Sequence, residues 1–385
     1  MKAADKKARI IALYLPQFHP IPENDAWWGK GFTEWTNVAQ ARPLFKGHYQ
    51  PRIPADLGFY DLRLPEVREQ QVVLAKEAGI EAFCYYHYWF GGKQLLERPF
   101  QEVVASGKPD FPFCICWANH TWSSATWSTK GKQSSVLMEQ TYGGKEEDTA
   151  HFMSLLPAFR DPRYLTIDGR LVFCIYDVWH FERVKEFMDT WRQLADEYKL
   201  PGFYFIGMTS NTLSFDVRNQ EHKPCLPNLE SSKDIYQAVL NMGFDAVNSF
   251  GKRRGEMRAK GMTRNLLHRV LEIMHMNIGV NTYDYSKTVA QFFAPEDKWE
   301  NVFPTIMPQW DRTARNANRE GIYTNATPER FAEHIRQALE VIKGKQAEHQ
   351  ILFLKSWNEW AEGNYVEPDL KYGHGWLNAI KNTIQ

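Results

Sequence analysis

The 385-residue chain carries no net formal charge, its 46 basic residues matching 46 acidic ones. That balance argues against electrostatic binding of nucleic acid or of a membrane surface. No apolar run is long enough to span a bilayer. Met1–Arg9 lacks the apolar segment of a secretory signal, so the sequence as it stands points to the cytoplasm. Cysteine is sparse: Cys84, Cys114, Cys116, Cys174 and Cys225. Four of the five lie in apolar runs that read as buried strands. The single residue between Cys114 and Cys116 is not a zinc-ligand spacing, and buried free thiols are the expectation. There is no Gly-rich phosphate loop, no His-Glu-x-x-His and no Gly-x-Ser-x-Gly. Asp-x-Asp is absent too, which counts against a metal-dependent glycosyltransferase but not a metal-independent one. No metal or cofactor is expected. No linker, low-complexity tract or fixed-period repeat appears, so residues 1–385 are read as one domain.

Aromatic residues are abundant, at 14% of the chain, with 14 tryptophans. Many stand beside polar residues. Rings stacking on sugar C–H faces would use that composition, and so would a large aromatic core.

Eight apolar segments read as strands: 9–15, 81–89, 111–119, 170–177, 203–209, 245–250, 304–311 and a last one opening at Ile351. Pro308 belongs at a strand end, because proline cannot donate to a ladder. Helical patterns cover 65–79, 146–159, 181–198, 235–242, 264–276 and 328–343. In the first, Pro65 suits the opening turn, Gly79 suits the position after the last, and Val67, Val73, Leu74 and Ala78 form the apolar face. Residues 21–60 read as a long irregular insertion, either a cleft wall or packing across one barrel end. Lys252-Arg253-Arg254 reads as a solvated loop, with an acidic-ligand patch as the weaker option. Eight β/α repeats predict an α/β fold of the (β/α)8 TIM-barrel type.

Strand after strand ends in polar and aromatic residues, on the side where barrel active sites are built. The last stretch is the richest. After Ile351-Leu-Phe-Leu come Asn358, Glu359, Trp360, Glu362, Tyr365 and Glu367. Glu359 and Glu362 are the candidate catalytic pair; a helix-capping Glu362 and a solvated Glu359 are the plain alternative. Trp357 and Trp360 could supply the apolar surroundings that keep one acid protonated. A short turn would bring the two carboxyl groups to roughly 5–6 Å, nearer the retaining separation. Cleft candidates at other strand ends are Tyr86, His87 and Trp89, then Trp117, Asn119 and His120, then Tyr176, Asp177 and Trp310. Asn358 and Tyr365 join them from the last stretch, and Gln17, His19, Glu34 and Trp35 from the N-terminal loops. Each could equally be a core residue. Two carboxylates in an aromatic cleft suit glycosyl transfer to water or another acceptor.

Three segment groups carry a resemblance: Ala12–Pro20 with Asp25–Trp35; Tyr85–Phe90 with Cys116–His120; and Trp357-Asn-Glu-Trp-Ala-Glu-Gly363. Together they resemble the WbsX-like family, which is similar to glycoside hydrolase family 99 and is often labelled a glycosyltransferase in polysaccharide gene clusters. The resemblance spans nearly the whole chain. It implies a (β/α)8 barrel and an oligosaccharide or polysaccharide substrate. Family 99 contains retaining endo-α-mannosidases, and its motif Asn-Glu-Trp-His-Glu-Gly aligns its two acids with Glu359 and Glu362. The resemblance then implies that Glu359 is a base toward the sugar's 2-hydroxyl, forming a 1,2-anhydro sugar, and that Glu362 is the acid and later the base for water. That geometry suits α-mannosyl or α-L-rhamnosyl linkages. Ala361 stands where family 99 has histidine, so its substrate subsite does not carry over. A transferase of surface-polysaccharide assembly and a non-catalytic glycan-binding barrel are the other two expectations.

Overall fold

The computed structural model describes residues 6–124, 135–212, 231–260, 280–316 and 321–385. Cys225 and the helix expected at 264–276 lie outside them. Eight parallel strands form the barrel: β1 (Arg9–Tyr14), β2 (Ala82–Phe90), β3 (Phe113–Trp117), β4 (Arg170–Ile175), β5 (Phe203–Ser210), β6 (Ala246–Phe250), β7 (Val302–Ile306) and β8 (Ile351–Leu354). Each pairs with the next in sequence, and β8 returns to β1 with Arg9 opposite Ile351. The sheet is therefore closed and has no free edge along the barrel. The strands are almost wholly buried, as helices outside and packed side chains inside require. Cys84, Cys114, Cys116 and Cys174 are buried free thiols within them.

The helices are α1 (Pro22–Trp28), α2 (Glu34–Gln40), α3 (Pro65–Ala78), α4 (Arg98–Ser106), α5 (Lys145–Phe159), α6 (Val184–Glu197), α7 (Ser232–Asn241), α8 (Lys252–Lys260), α9 (Tyr285–Val289), α10 (Thr313–Asn316), α11 (Pro328–Ile342) and α12 (Gly375–Ile384). α3 starts on Pro65 and stops at Gly79, whose φ of 84° is the left-handed geometry that glycine accepts freely. Val73 is exposed, so it is not part of that helix's buried face. Among the described residues, no helix is long and apolar enough to cross a membrane.

The structure corrects the sequence reading in four places. Residues 21–60 contain α1 and α2 rather than irregular chain throughout. Lys252–Arg254 opens α8 and is not a solvated loop: Lys252 Nζ lies 4.5 Å from the centre of the Trp310 ring. α4, α9, α10 and α12 were not anticipated. The seventh strand is Val302–Ile306, so Pro304 lies inside it and Pro308 beyond its end.

Candidate active site

The chain turns sharply after β8. Asn358–Glu359 pairs antiparallel with Asn364–Tyr365, and Trp360–Glu362 forms the 3-10 turn between them. The Asn358 amide clamps this turn to the end of β1: it accepts from Leu15 N at 2.8 Å and donates to Leu15 O at 3.0 Å. Gly363 follows at φ 53°. A Cβ there would sit 2.8 Å from Asp311 Cβ and 2.9 Å from Arg52 Nε, so only glycine fits without displacement. Glu367 fastens the far side, accepting from Tyr60 OH, Gln71 Nε2 and Trp360 Nε1.

This anchoring presents Glu359 and Glu362 to a cavity of about 210 Å³ at the C-terminal mouth of the barrel. Gln17, Tyr86, Tyr88, His120, Trp122, Tyr176, Phe250 and Trp310 share its lining with the acids, as do Arg312, Arg315 and Lys355. Arg315, in α10, is the electrostatic centre. Its Nη1 donates to Glu362 Oε1 at 2.6 Å, and its Nη2 reaches Glu359 Oε2 at 3.4 Å and the buried Glu34. Arg312 Nε stands 3.0 Å from Glu362 Oε1.

The two acids therefore differ in proton affinity. Burial, and then the neighbouring Glu362, push Glu359 up; Lys355 and Arg315 only partly offset this. Burial also pushes Glu362 up, but Arg312, Arg315, Lys355 and Lys252 together outweigh it and hold that carboxyl below its usual range. In the free protein Glu359 therefore holds a proton more tightly than Glu362, which is the more readily ionised of the two. Lys355 keeps its charge: burial lowers it, but Tyr176, Glu359 and Glu362 raise it further.

Of the residues expected in a cleft, Gln17, Tyr86, His120, Tyr176 and Trp310 line this cavity with the two acids. The others lie elsewhere. His87 and Trp89 point outward to α5, where His87 Nε2 meets His151 Nε2 at 2.9 Å and Trp89 stacks on the same imidazole. Neighbouring strand residues face opposite ways, so Tyr86 and Tyr88 are the inward pair, and Tyr88 was missed. Trp117 packs on Phe187 of α6. Asn119 binds the backbone of Asp177, and Asp177 itself lines a neighbouring cavity. His19 is buried, and that burial pushes its imidazole down to about 4. Glu34 stands behind the acids on Arg315. Trp35, Asn358, Trp360 and Tyr365 are buried supports of the turn, with Trp360 stacked on Tyr365 at 3.7 Å. Trp357 packs against Phe83. Neither Trp357 nor Trp360 lines the cavity that the acids face. Arg312, Arg315 and Lys355 were not singled out, because an isolated cation has no spacing signature. Among the described residues, no group of His, Cys, Asp and Glu is arranged to hold a metal ion.

Comparison with known proteins agrees with this architecture. The sequence family described as Glycosyltransferase WbsX matches residues 10–380. The chain is 33% identical over 378 residues to "Uncharacterized protein WxcX" of Xanthomonas campestris pv. campestris, in strains B100 and ATCC 33913. The match covers 98% of this chain but only 50% of those relatives, so the chain spans half their length. A solved structure called a glycoside hydrolase-like protein superposes with a TM-score of 0.58 at 14% identity, covering 100% of this chain and 96% of that one. The GH99 endo-α-mannosidase of Bacteroides thetaiotaomicron gives 0.52 at 12% identity, covering 97% and 98%. At these identities the two structures speak for the fold.

Proposed function

The chain belongs to the WbsX glycosyltransferase family, and from that premise we propose that it is a retaining glycoside hydrolase for manno-configured linkages, α-mannosyl or α-L-rhamnosyl. The observation that carries this reading is the acid pair of unequal proton affinity, set in an aromatic cavity at the barrel mouth. Glycoside cleavage needs one protonated and one ionised carboxyl.

The ion pairs favour a particular division of roles. Glu359 gives its proton to the glycosidic oxygen as the C1–O bond breaks. Glu362, ionised between Arg312 and Arg315, takes the proton of the sugar's 2-hydroxyl while O2 attacks C1. Water then opens the 1,2-anhydro sugar at C1, giving its proton to Glu359, and Glu362 returns the other proton to O2. This exchanges the roles that the resemblance to family 99 implies. Two guanidiniums keep the Glu362 carboxyl ionised, so it has no proton to give to a leaving group.

An aryl glycoside with a strongly acidic phenol leaving group tests both points, since it departs without acid help. Glu359→Gln is expected to lose activity on oligosaccharides but to keep the first release of phenol from the aryl substrate, because only the later attack of water still needs its carboxylate. Glu362→Gln is expected to lose both. The opposite pattern would restore the roles implied by family 99. Cleavage indifferent to both substitutions would remove the acid pair from the mechanism.

The family's description, and the three cations Arg312, Arg315 and Lys355 beside the acids, favour a second reading: transfer from a phosphate-activated sugar. Turnover that requires a nucleotide sugar would establish it in place of hydrolysis.

A further inference from the structure

We propose that the cleft has a second subsite, next to the acid pair, that takes a sugar residue bearing an oxyanion, a carboxylate or a phosphate ester, with Lys355 as its principal contact. The proposal rests on the glycan-acting reading above and names the substrate class more closely. The cavity holding the acids adjoins a larger one of about 450 Å³ over the ends of β4, β5 and β6. Tyr176, Phe250 and Lys355 belong to the walls of both. A ligand leaving the acids toward β6 therefore passes the Lys355 ammonium.

That ammonium is underused. Lys355 is only 8% exposed. It has three N–H donors, and one goes to Tyr86 OH at 3.2 Å. Glu359 Oε1, at 4.0 Å, is beyond hydrogen-bond reach. The Tyr86 and Phe250 rings, 5.8 and 5.9 Å away, give only cation–π contact. Among the described residues, two donors of this buried cation, which lines both cavities, have no hydrogen-bond partner, and leaving them unmet is costly. An anionic oxygen meets both the donors and the charge.

On the side away from Glu359 and Glu362, cations outnumber carboxylates in the lining. Lys252 and Arg253 line the second cavity with Lys355. Its two carboxylates already have cationic or imidazole partners: Asp177 is bound by His180 Nδ1 at 2.7 Å, and Glu256 by Lys252 at 2.8 Å. Phe250 at the junction offers an apolar face to a sugar ring.

Calorimetry on the full chain with mannose, mannuronate and mannose 6-phosphate, at fixed ionic strength, tests the subsite without needing turnover. The charged sugars are expected to bind at least about tenfold more tightly than mannose, the scale of a charge-assisted hydrogen bond. Preference for mannuronate assigns a carboxylate, and preference for mannose 6-phosphate a phosphate ester. Lys355→Gln is expected to abolish the preference. Lys252→Gln, at a more accessible position, is expected to weaken it severalfold and guards against a misfolded Lys355 variant. Equal affinity for mannose and the charged sugars would overturn the proposal. So would no binding of the charged sugars, or an undiminished preference in both folded variants. A charged-sugar preference in a protein that cleaves no glycan would retire the hydrolase reading and leave the subsite standing.

Discussion

Arg315 shows how one side chain sets the chemistry of others. Its guanidinium touches Glu34, Glu359 and Glu362, which come from α2 and from the turn after β8. Removing it takes from three buried carboxylates the one counter-charge they share. Arg315→Met is expected to cost about 3–5 kcal/mol in chemical denaturation. Arg315→Lys keeps the charge but loses the bidentate fork. It is expected to raise the proton affinity of Glu362, so the acid limb of the kcat/KM pH profile moves to higher pH; an unmoved limb would reduce Arg315 to a scaffold. Glu367 titrates in the same direction as Glu359, with a different consequence. Burial pushes it up to about 7 from the usual 4.5. The folded protein therefore binds this proton more tightly than the unfolded chain does. The associated stability is fully present below pH 4.5, and it is lost as the pH rises through about 7. Glu367→Gln is expected to remove at most about 3 kcal/mol of that pH-dependent loss, read from denaturation midpoints between pH 5 and 8. The acids themselves were legible from their spacing. Their cationic partners were not, because Arg315 lies 47 and 44 residues from Glu362 and Glu359 and only folding makes them neighbours.

At the scale of elements, alternation and turn geometry decide which residues reach the cavity. The run Tyr86-His-Tyr-Trp89 is a cluster of polar aromatics in sequence, but as a strand it splits into an inward pair and an outward pair. The segment after β7 divides likewise: Trp310 and Arg312 line the acid cavity, and Gln309 and Asp311 line a separate one behind it. The turn from Trp360 to Gly363 depends on a left-handed glycine against Asp311 and Arg52. Gly363→Ala is expected to destabilise by about 2 kcal/mol or more, since the left-handed penalty and the clash add. The measurement is a thermal or urea midpoint, and an unchanged midpoint would mean that the turn has slack. Because Asp311 N also donates to Glu362 O at 2.7 Å, the same variant is expected to lose activity beyond its loss of stability.

Over the whole molecule, closure joins the two ends of the chain. β8 pairs with β1, and α12 packs against α3 and α11. α12 buries Trp376, Leu377, Ile380 and Ile384, and Ile384 O accepts from Lys7 N at 2.9 Å. At roughly 1.5–3 kcal/mol for each large apolar side chain, their exposure is comparable to the net stability of a domain. Truncation before Gly375 is expected to abolish cooperative unfolding in a denaturant titration. A truncated chain with a sharp transition would show that α12 is dispensable.

Strand number, barrel class and the place of the acids were determined by the sequence alone. They rest on local regularities: apolar runs, helical periodicity, and polar residues gathered at strand ends. The tertiary structure alone decided which acid keeps the proton, which aromatics face the cavity, and that Lys355 stands where two cavities meet. Those outcomes depend on burial and on charges brought together from distant segments, and such quantities exist only once the barrel has closed.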